Sequence, residues 1–360
     1  MTHRAHVLAA LRGEKTDRIP WLPEINGVFA QRQVAALGLD AGGMSPWVRL
    51  ALEIGAASFL SGPFVREEMA PDVQREVVKT DGAIVERITT PHGVLQSRRV
   101  WDENACTHFC HEFLIKGPQD YEAFEHYYVG RRFTTDAQAF QAALEPVLDY
   151  GIVALAVPAT PYMDCIMNYV GIEATMYQLF DHRKAFLHLA DAMHQKNLEY
   201  CRMLLDAPVI DIVRPFEDTS SMLCSPETFE RICKPHLQDY AELIHSRGHR
   251  FVPHMCGHLK AILPHMRDLD IDGIEAVTPP PTGDCTARAV RDALGADKVI
   301  IGGFDAASFA RDPLDRVVRE LRNAIEPMRD DPRFVLGNEE ISPAAKWENV
   351  LAVAEVLKSL

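Results

Sequence analysis

Apolar residues in this chain fall into eight short runs, with longer stretches between them where apolar positions recur at helical spacing. The runs cover about 18–25 (RIPWLPEI), 57–62 (ASFLSG), 151–158 (GIVALAVP), 210–217 (IDIVRPFE), 250–256 (RFVPHMC), 273–278 (GIEAVT), 299–304 (VIIGGF) and 333–339 (RFVLGNE). Near-continuous apolar runs of this length predict buried parallel strands. Pro226–Ser246 and Leu314–Met328 are the clearest helices between them. Ser225-Pro226-Glu227 opens the first with an N-cap and a proline at the first helical position. Eight strands alternating with helices is the pattern of a (β/α)8 TIM barrel. The expected fold is therefore α/β: one TIM-barrel domain over residues 1–360, with an N-terminal helix. The interval from about 63 to 150 is too long for a single crossover. Inside it, Ala83 to Val100 alternates apolar and polar residues around Thr90-Pro91-His92-Gly93, which predicts an antiparallel hairpin. We expect this interval to be an insertion after strand 2, placed over the barrel mouth.

In such barrels chemistry sits at the C-terminal ends of the strands. Those ends carry Glu24 and Asn26, Glu217 and Asp218, His254 and Cys256, Glu275, Asp305, Asn338 and Glu339. The segment Pro253-His254-Met255-Cys256-Gly257 stands out. Residues two apart on a strand point the same way, so the His254 imidazole and the Cys256 sulfur converge. Nitrogen and sulfur donors together suit zinc.

Composition narrows the classes. Three hundred and sixty residues, 47% of them hydrophobic, describe an ordinary globular chain. A net charge of −14 argues against a nucleic-acid partner. No apolar run reaches the roughly 18 residues of a membrane span. The opening residues, Met1 to His6, lack the apolar core of a signal peptide. The eight cysteines form no Cys-x-x-Cys pair, which favours reduced thiols. A cytoplasmic protein is expected.

Several segments resemble one family, in order and nearly end to end. They are Arg4–Glu14 with Asp17-Arg18-Ile19-Pro20, Thr90–Gly93, Ile115–Tyr121, Ser225-Pro226-Glu227 with Lys234-Pro235, and His254-Met255-Cys256-Gly257. Together they resemble the uroporphyrinogen decarboxylase superfamily, and within it the zinc methyltransferases that serve methylcobalamin:coenzyme M and corrinoid proteins. Two departures matter. The decarboxylases carry an Arg-Gln-Ala-Gly-Arg-type segment after the first strand, where this chain has Leu22-Pro23-Glu24-Ile25-Asn26-Gly27. Without those arginines a substrate bearing many carboxylates has little to pair with. The methyltransferases also follow His-x-Cys with a distant cysteine, whose place is taken here by Glu339, or by Glu340 one step away.

The resemblance implies a zinc site of His254, Cys256 and Glu339. Glu275 is either a fourth ligand or a hydrogen-bond partner of His254, and His258 falls on a following helix. The expected activity is methyl transfer from a small methoxy donor to the cobalt of a cobalamin held by a partner corrinoid-binding protein. This chain has no Asp-x-His-x-x-Gly cobalamin motif of its own. Glu217 and Asp218 are the expected catalytic groups. Glu24, Asn26, Tyr162, Phe304, Asp305 and Asn338 are expected to contact substrate. The alternatives are methyl transfer involving a thiol such as coenzyme M, decarboxylation of a small carboxylic acid, and a non-catalytic barrel in which the His-x-Cys pair is merely buried.

Overall fold

The computed structural model describes residues 1–62 and 64–359. Pro63, at the start of the expected insertion, and Leu360, at the end of the expected domain, lie outside the described residues. The strands, in chain order, are β1 (Trp21–Ile25), β2 (Ser58–Leu60), β3 (Val65–Glu68), β4 (Gln74–Thr80), β5 (Ala83–Thr90), β6 (Gly93–Asp102), β7 (Thr107–Glu112), β8 (Arg132–Thr135), β9 (Gly151–Val157), β10 (Ile212–Pro215), β11 (Gly273–Val277), β12 (Val299–Gly303) and β13 (Phe334–Ile341). The chain is α/β, as the apolar runs predict, and seven of those runs end up as β1, β2 and β9–β13.

Parallel pairing links β1-β13-β12-β11 in one sheet and β10-β9-β2 in another. The eighth run joins the two as single parallel bridges, Val213 to Phe251, Phe216 to His254, and His254 to Glu275. Pro253 has no N–H to donate, so this segment cannot make a regular ladder. It is tied instead by His254 N–H to the Pro215 carbonyl at 2.9 Å and by Met255 N–H to the Glu275 carbonyl at 2.9 Å. On the far side, Ala57 N–H donates to the Trp21 carbonyl at 2.8 Å, connecting β2 to β1.

Side chains alternate between two apolar clusters with the two-residue period of a strand. Leu22, Ile152, Ala154, Ile212, Val252, Val299, Ile301 and Val335 share one cluster with Val7, Ala10 and Leu11 of the N-terminal helix His3–Arg12. Trp21, Val153, Leu155, Val213, Phe251, Ile300, Phe334 and Leu336 belong to the other, which packs against the surrounding helices. The first cluster is the interior of the ring, closed at one end by the N-terminal helix. Two residues further along the inner face, the same strands change character and present Glu24, Arg214, His254 and Glu275.

The helices read from the sequence are present. Ser225 accepts from the Thr228 N–H at the head of a continuous helical stretch through Ser246, whose second turn is a π-helix, Phe229–Cys233. Leu314–Ile325 runs on into a 3-10 turn that ends at Met328. Between β2 and β9, β4 to β7 form an antiparallel sheet in sequential order, and β3 pairs antiparallel with β8. β5 and β6 pair from Ala83 with Val100 to Thr90 with Gly93. The loop after β6 reaches the helix that follows β1, where the Arg32 guanidinium lies 3.8 Å from the Cys106 sulfur. No helix among the described residues is long and apolar enough to cross a membrane.

Leu22 is fully buried in the inner cluster, where it supports the charged residues above it. Leu22→Ala should cost about 2–5 kcal/mol of stability, measured by equilibrium denaturant unfolding. A cost below about 1 kcal/mol would contradict this view of the interior.

Candidate metal centre at the strand ends

His254 and Cys256 lie on the inner side of their segment, continuing the line of Val252. Across from them, Asp218 continues the inner line of Ile212, Arg214 and Phe216 beyond the end of β10. Asp218 adopts φ 45°, a left-handed conformation that a non-glycine residue takes at some cost. This turn lets both the Glu217 and Asp218 N–H groups donate to the His254 carbonyl, at 3.0 and 3.1 Å. Gly257, with φ 85°, allows the next loop to close over the site, because a Cβ there would lie 3.0 Å from the Ser220 hydroxyl.

Among the described residues, one group of three or more side chains offers metal-ligating atoms within 4.8 Å of one another, and it is Asp218, His254 and Cys256. The Cys256 thiol donates to Asp218 Oδ1 at 3.2 Å, and His254 Nε2 lies 3.2 Å from the same oxygen. The opposite ring nitrogen, Nδ1, is 2.5 Å from Glu275 Oε2. Arg214 Nη1 sits 3.0 Å from that Glu275 oxygen and 3.0 Å from Glu24 Oε2. Its guanidinium lies between the rings of Phe59 and Phe216, at 4.1 and 4.5 Å. Phe216 is partly exposed and its ring is 5.1 Å from that of His254.

The electrostatics favour a cation at this point. Burial alone would lower the pKa of His254, but the Glu275 charge and the hydrogen bonds to Asp218, Cys256 and Glu275 hold it well above its ordinary value. Burial pushes the Glu275 and Asp218 carboxyls up, yet His254, with Arg214 in the case of Glu275, brings both below their usual range. Burial raises the Cys256 thiol, against the pull of His254. A place that draws a proton onto imidazole is one where positive charge is stabilised.

The remaining expected residues fall elsewhere. Glu339 stands outside the convergent group. Its Oε2 accepts from the Ala306 N–H at 3.2 Å and its Oε1 is buried without a partner. Burial raises this carboxyl, against the pull of Thr278 and the Ala306 N–H. Glu340 is exposed and accepts from the Asn26 amide at 2.8 Å. Asn26 itself caps the helix Gly27–Ala36, and its Oδ1 accepts from Val28 N–H at 2.8 Å. Of the two roles open to Glu275, the structure brings it to His254 Nδ1 as a hydrogen-bond partner. His258 lies in a loop and not on a helix, and its N–H donates to Ser220.

Glu217 departs most from its expected catalytic place. It occupies the outer side of its strand, in line with Val213 and Pro215, and is fully buried. Its oxygens accept from the Thr160 N–H at 2.7 Å, the Thr160 hydroxyl at 2.6 Å and the Thr219 hydroxyl at 3.1 Å. Tyr162 is buried and donates to the Leu223 carbonyl at 3.0 Å. Phe304 packs on Phe309 in the outer core. Asp305 accepts from the Thr282 hydroxyl at 2.8 Å and pairs with Arg311 at 3.2 Å. Asn338, also on the outer side, donates to the Glu24 carbonyl at 3.4 Å. Arg214 was not among the expected site residues. The signal for it is a charged residue at an inner position of an apolar strand.

Residues 152–360 match the Uroporphyrinogen decarboxylase (URO-D) family. The chain belongs to that family. Among solved structures it resembles a methyltransferase from Methanosarcina mazei, 17% identical, with a TM-score of 0.63 over 100% of this chain and 99% of that one. At that identity the likeness speaks for the fold. A D-psicose 3-epimerase from Clostridium cellulolyticum H10, solved with D-tagatose, is more distant, at 7% identity and a TM-score of 0.36 over 61% of this chain and 80% of that one. No match is found among curated proteins. As a URO-D family member the chain carries its His-x-Cys pair inside the matched region.

Burial pushes the Glu217 carboxyl up to about 8, with Thr160 and Thr219 pulling it partway back. In the unfolded chain this group releases its proton near 4.5. Between these values the folded state holds a proton that the unfolded state has lost, so stability falls as pH rises through that window. Glu217→Gln keeps an acceptor for the Thr160 N–H, turns the bonds to the Thr160 and Thr219 hydroxyls into donations from its NH2 group, and removes the titration. Its stability should decline less than that of wild type from pH 5 to pH 8, measured by urea unfolding at several pH values. Parallel declines would contradict a buried, protonated Glu217.

Proposed function

We propose that this chain is a zinc-dependent methyltransferase that moves a methyl group from a small O-methyl donor to the cobalt of a corrinoid held by a partner protein. The observation that carries this is the convergence of Asp218, His254 and Cys256 at the strand ends. The residues fit the ion. Ligand atoms on a tetrahedral zinc stand about 3.3–3.8 Å apart, given bonds of about 2.0–2.3 Å. The two separations of 3.2 Å here are close to that. Three protein ligands of mixed oxygen, nitrogen and sulfur leave the fourth position that catalytic zinc sites keep open. Zinc bound there supplies a Lewis acid for an oxygen of the donor.

Glu275 holds the His254 ring through Nδ1, so that Nε2 faces the other two donors. The exposed face of Phe216 beside His254 offers an apolar wall for the donor's carbon skeleton. In the transfer the carbon–oxygen bond breaks and its electron pair stays on oxygen. The methyl group bonds to cobalt(I), which supplies two electrons. We read the ring of eight strand segments as a (β/α)8 barrel and the antiparallel sheet after β2 as an insertion at its mouth. The circuit of parallel pairings from β1 through β13, β12, β11, the bridging segment, β10, β9 and β2 supports the first reading, and the place of β4–β7 between β2 and β9 supports the second.

Purified wild type supplied with zinc should hold about one zinc per chain, measured by mass spectrometry. Asp218→Ala and Cys256→Ala should lose it, and Glu339→Ala should keep it. No zinc in wild type would end this reading. Loss in Glu339→Ala with retention in Asp218→Ala would return the ligand set to the one expected from the family.

A further inference from the structure

We propose that Arg214, backed by Glu24, is a positioning residue that fixes the orientation of His254 through Glu275. This rests on the metal reading above and extends it to two residues outside the proposed ligand set. One nitrogen, Arg214 Nη1, lies 3.0 Å from an oxygen of each carboxylate. The Glu275 oxygen that it holds, Oε2, is the same one that meets His254 Nδ1. That oxygen is therefore held between two donors from two different strands, and the carboxylate cannot turn without losing one of them.

The guanidinium is itself held. Glu24, from β1, takes it from one side, and the rings of Phe59 and Phe216 lie 4.1 and 4.5 Å from its centre. Both rings exclude water and interact favourably with its charge. Arginine stays charged at any relevant pH, so the acceptor aimed at Nδ1 is constant. An acceptor at Nδ1 places the ring proton there and leaves Nε2 for a cation. The chain Glu24–Arg214–Glu275–His254 spans four separate strand segments, and it transmits their spacing to one ring.

The test compares Arg214→Met, Arg214→Lys and wild type by zinc affinity, in competition with a chromogenic chelator, and by the 15N spectrum of His254 in the zinc-loaded protein. Because a single nitrogen serves both carboxylates, an ammonium can replace it in part. Arg214→Met should bind zinc 10- to 100-fold more weakly, with the Nδ1–H signal of His254 lost or broadened. Arg214→Lys should recover most of both. If Arg214→Met does not fold, Glu24→Gln, at the more exposed end of the chain, should show a smaller loss in the same direction. Unchanged zinc affinity and an unchanged His254 signal in the folded variant would overturn the proposal and leave the metal reading intact. Wild type that binds no zinc would overturn both.

Discussion

Three side chains at the head of the ring, Arg214, Glu275 and His254, are almost wholly removed from water, and the structure depends on their being removed together. An isolated buried charge is costly, and a broken buried pair typically costs about 3–5 kcal/mol. Here each charge has a partner of opposite sign, with Glu24 completing the set at the edge of solvent. Such a chain adds little net stability compared with an apolar layer. What it provides is direction: every member is hydrogen-bonded at a defined atom, and the last one presents a ring nitrogen to the mouth.

The layer beneath makes this possible. The inner side chains below the charges are aliphatic, with the N-terminal helix closing the far end. A dry floor keeps water from reaching the ion pairs from below, so their electrostatic coupling is not screened there. The same two-residue period decides which groups reach the centre. Asp218 and Glu217 are neighbours in sequence, yet one meets His254 and the other is sealed against Thr160 and Thr219. The left-handed turn at Asp218 is the local strain that brings its carboxylate around.

The apolar runs located seven strands and the bridging segment 251–254 to within a few residues, because continuous hydrophobic stretches have one natural place in a parallel sheet. His254 and Cys256 were legible for a related reason, since their spacing puts both on one side of an extended segment. Strand-end position alone groups Glu217 with Asp218, whereas the two-residue alternation separates them. Counting by twos from Ile212 selects Arg214, Phe216 and Asp218 and rejects Glu217. Glu339 was placed at the metal by alignment with a family tail, and that alignment carries no information about where its oxygen points. Asn26 and Asp305 are polar strand-end residues engaged in helix capping and loop contacts, a common use that a single sequence does not distinguish from substrate binding.

The central claim is that one thiolate, one imidazole and at least one carboxylate share a zinc ion at the end of the ring. X-ray absorption spectroscopy of the zinc-loaded protein tests it most directly. The account predicts one sulfur at about 2.3 Å, with the remaining ligands nitrogen or oxygen at about 2.0–2.2 Å. Two or more sulfurs in the shell, or none, would contradict it.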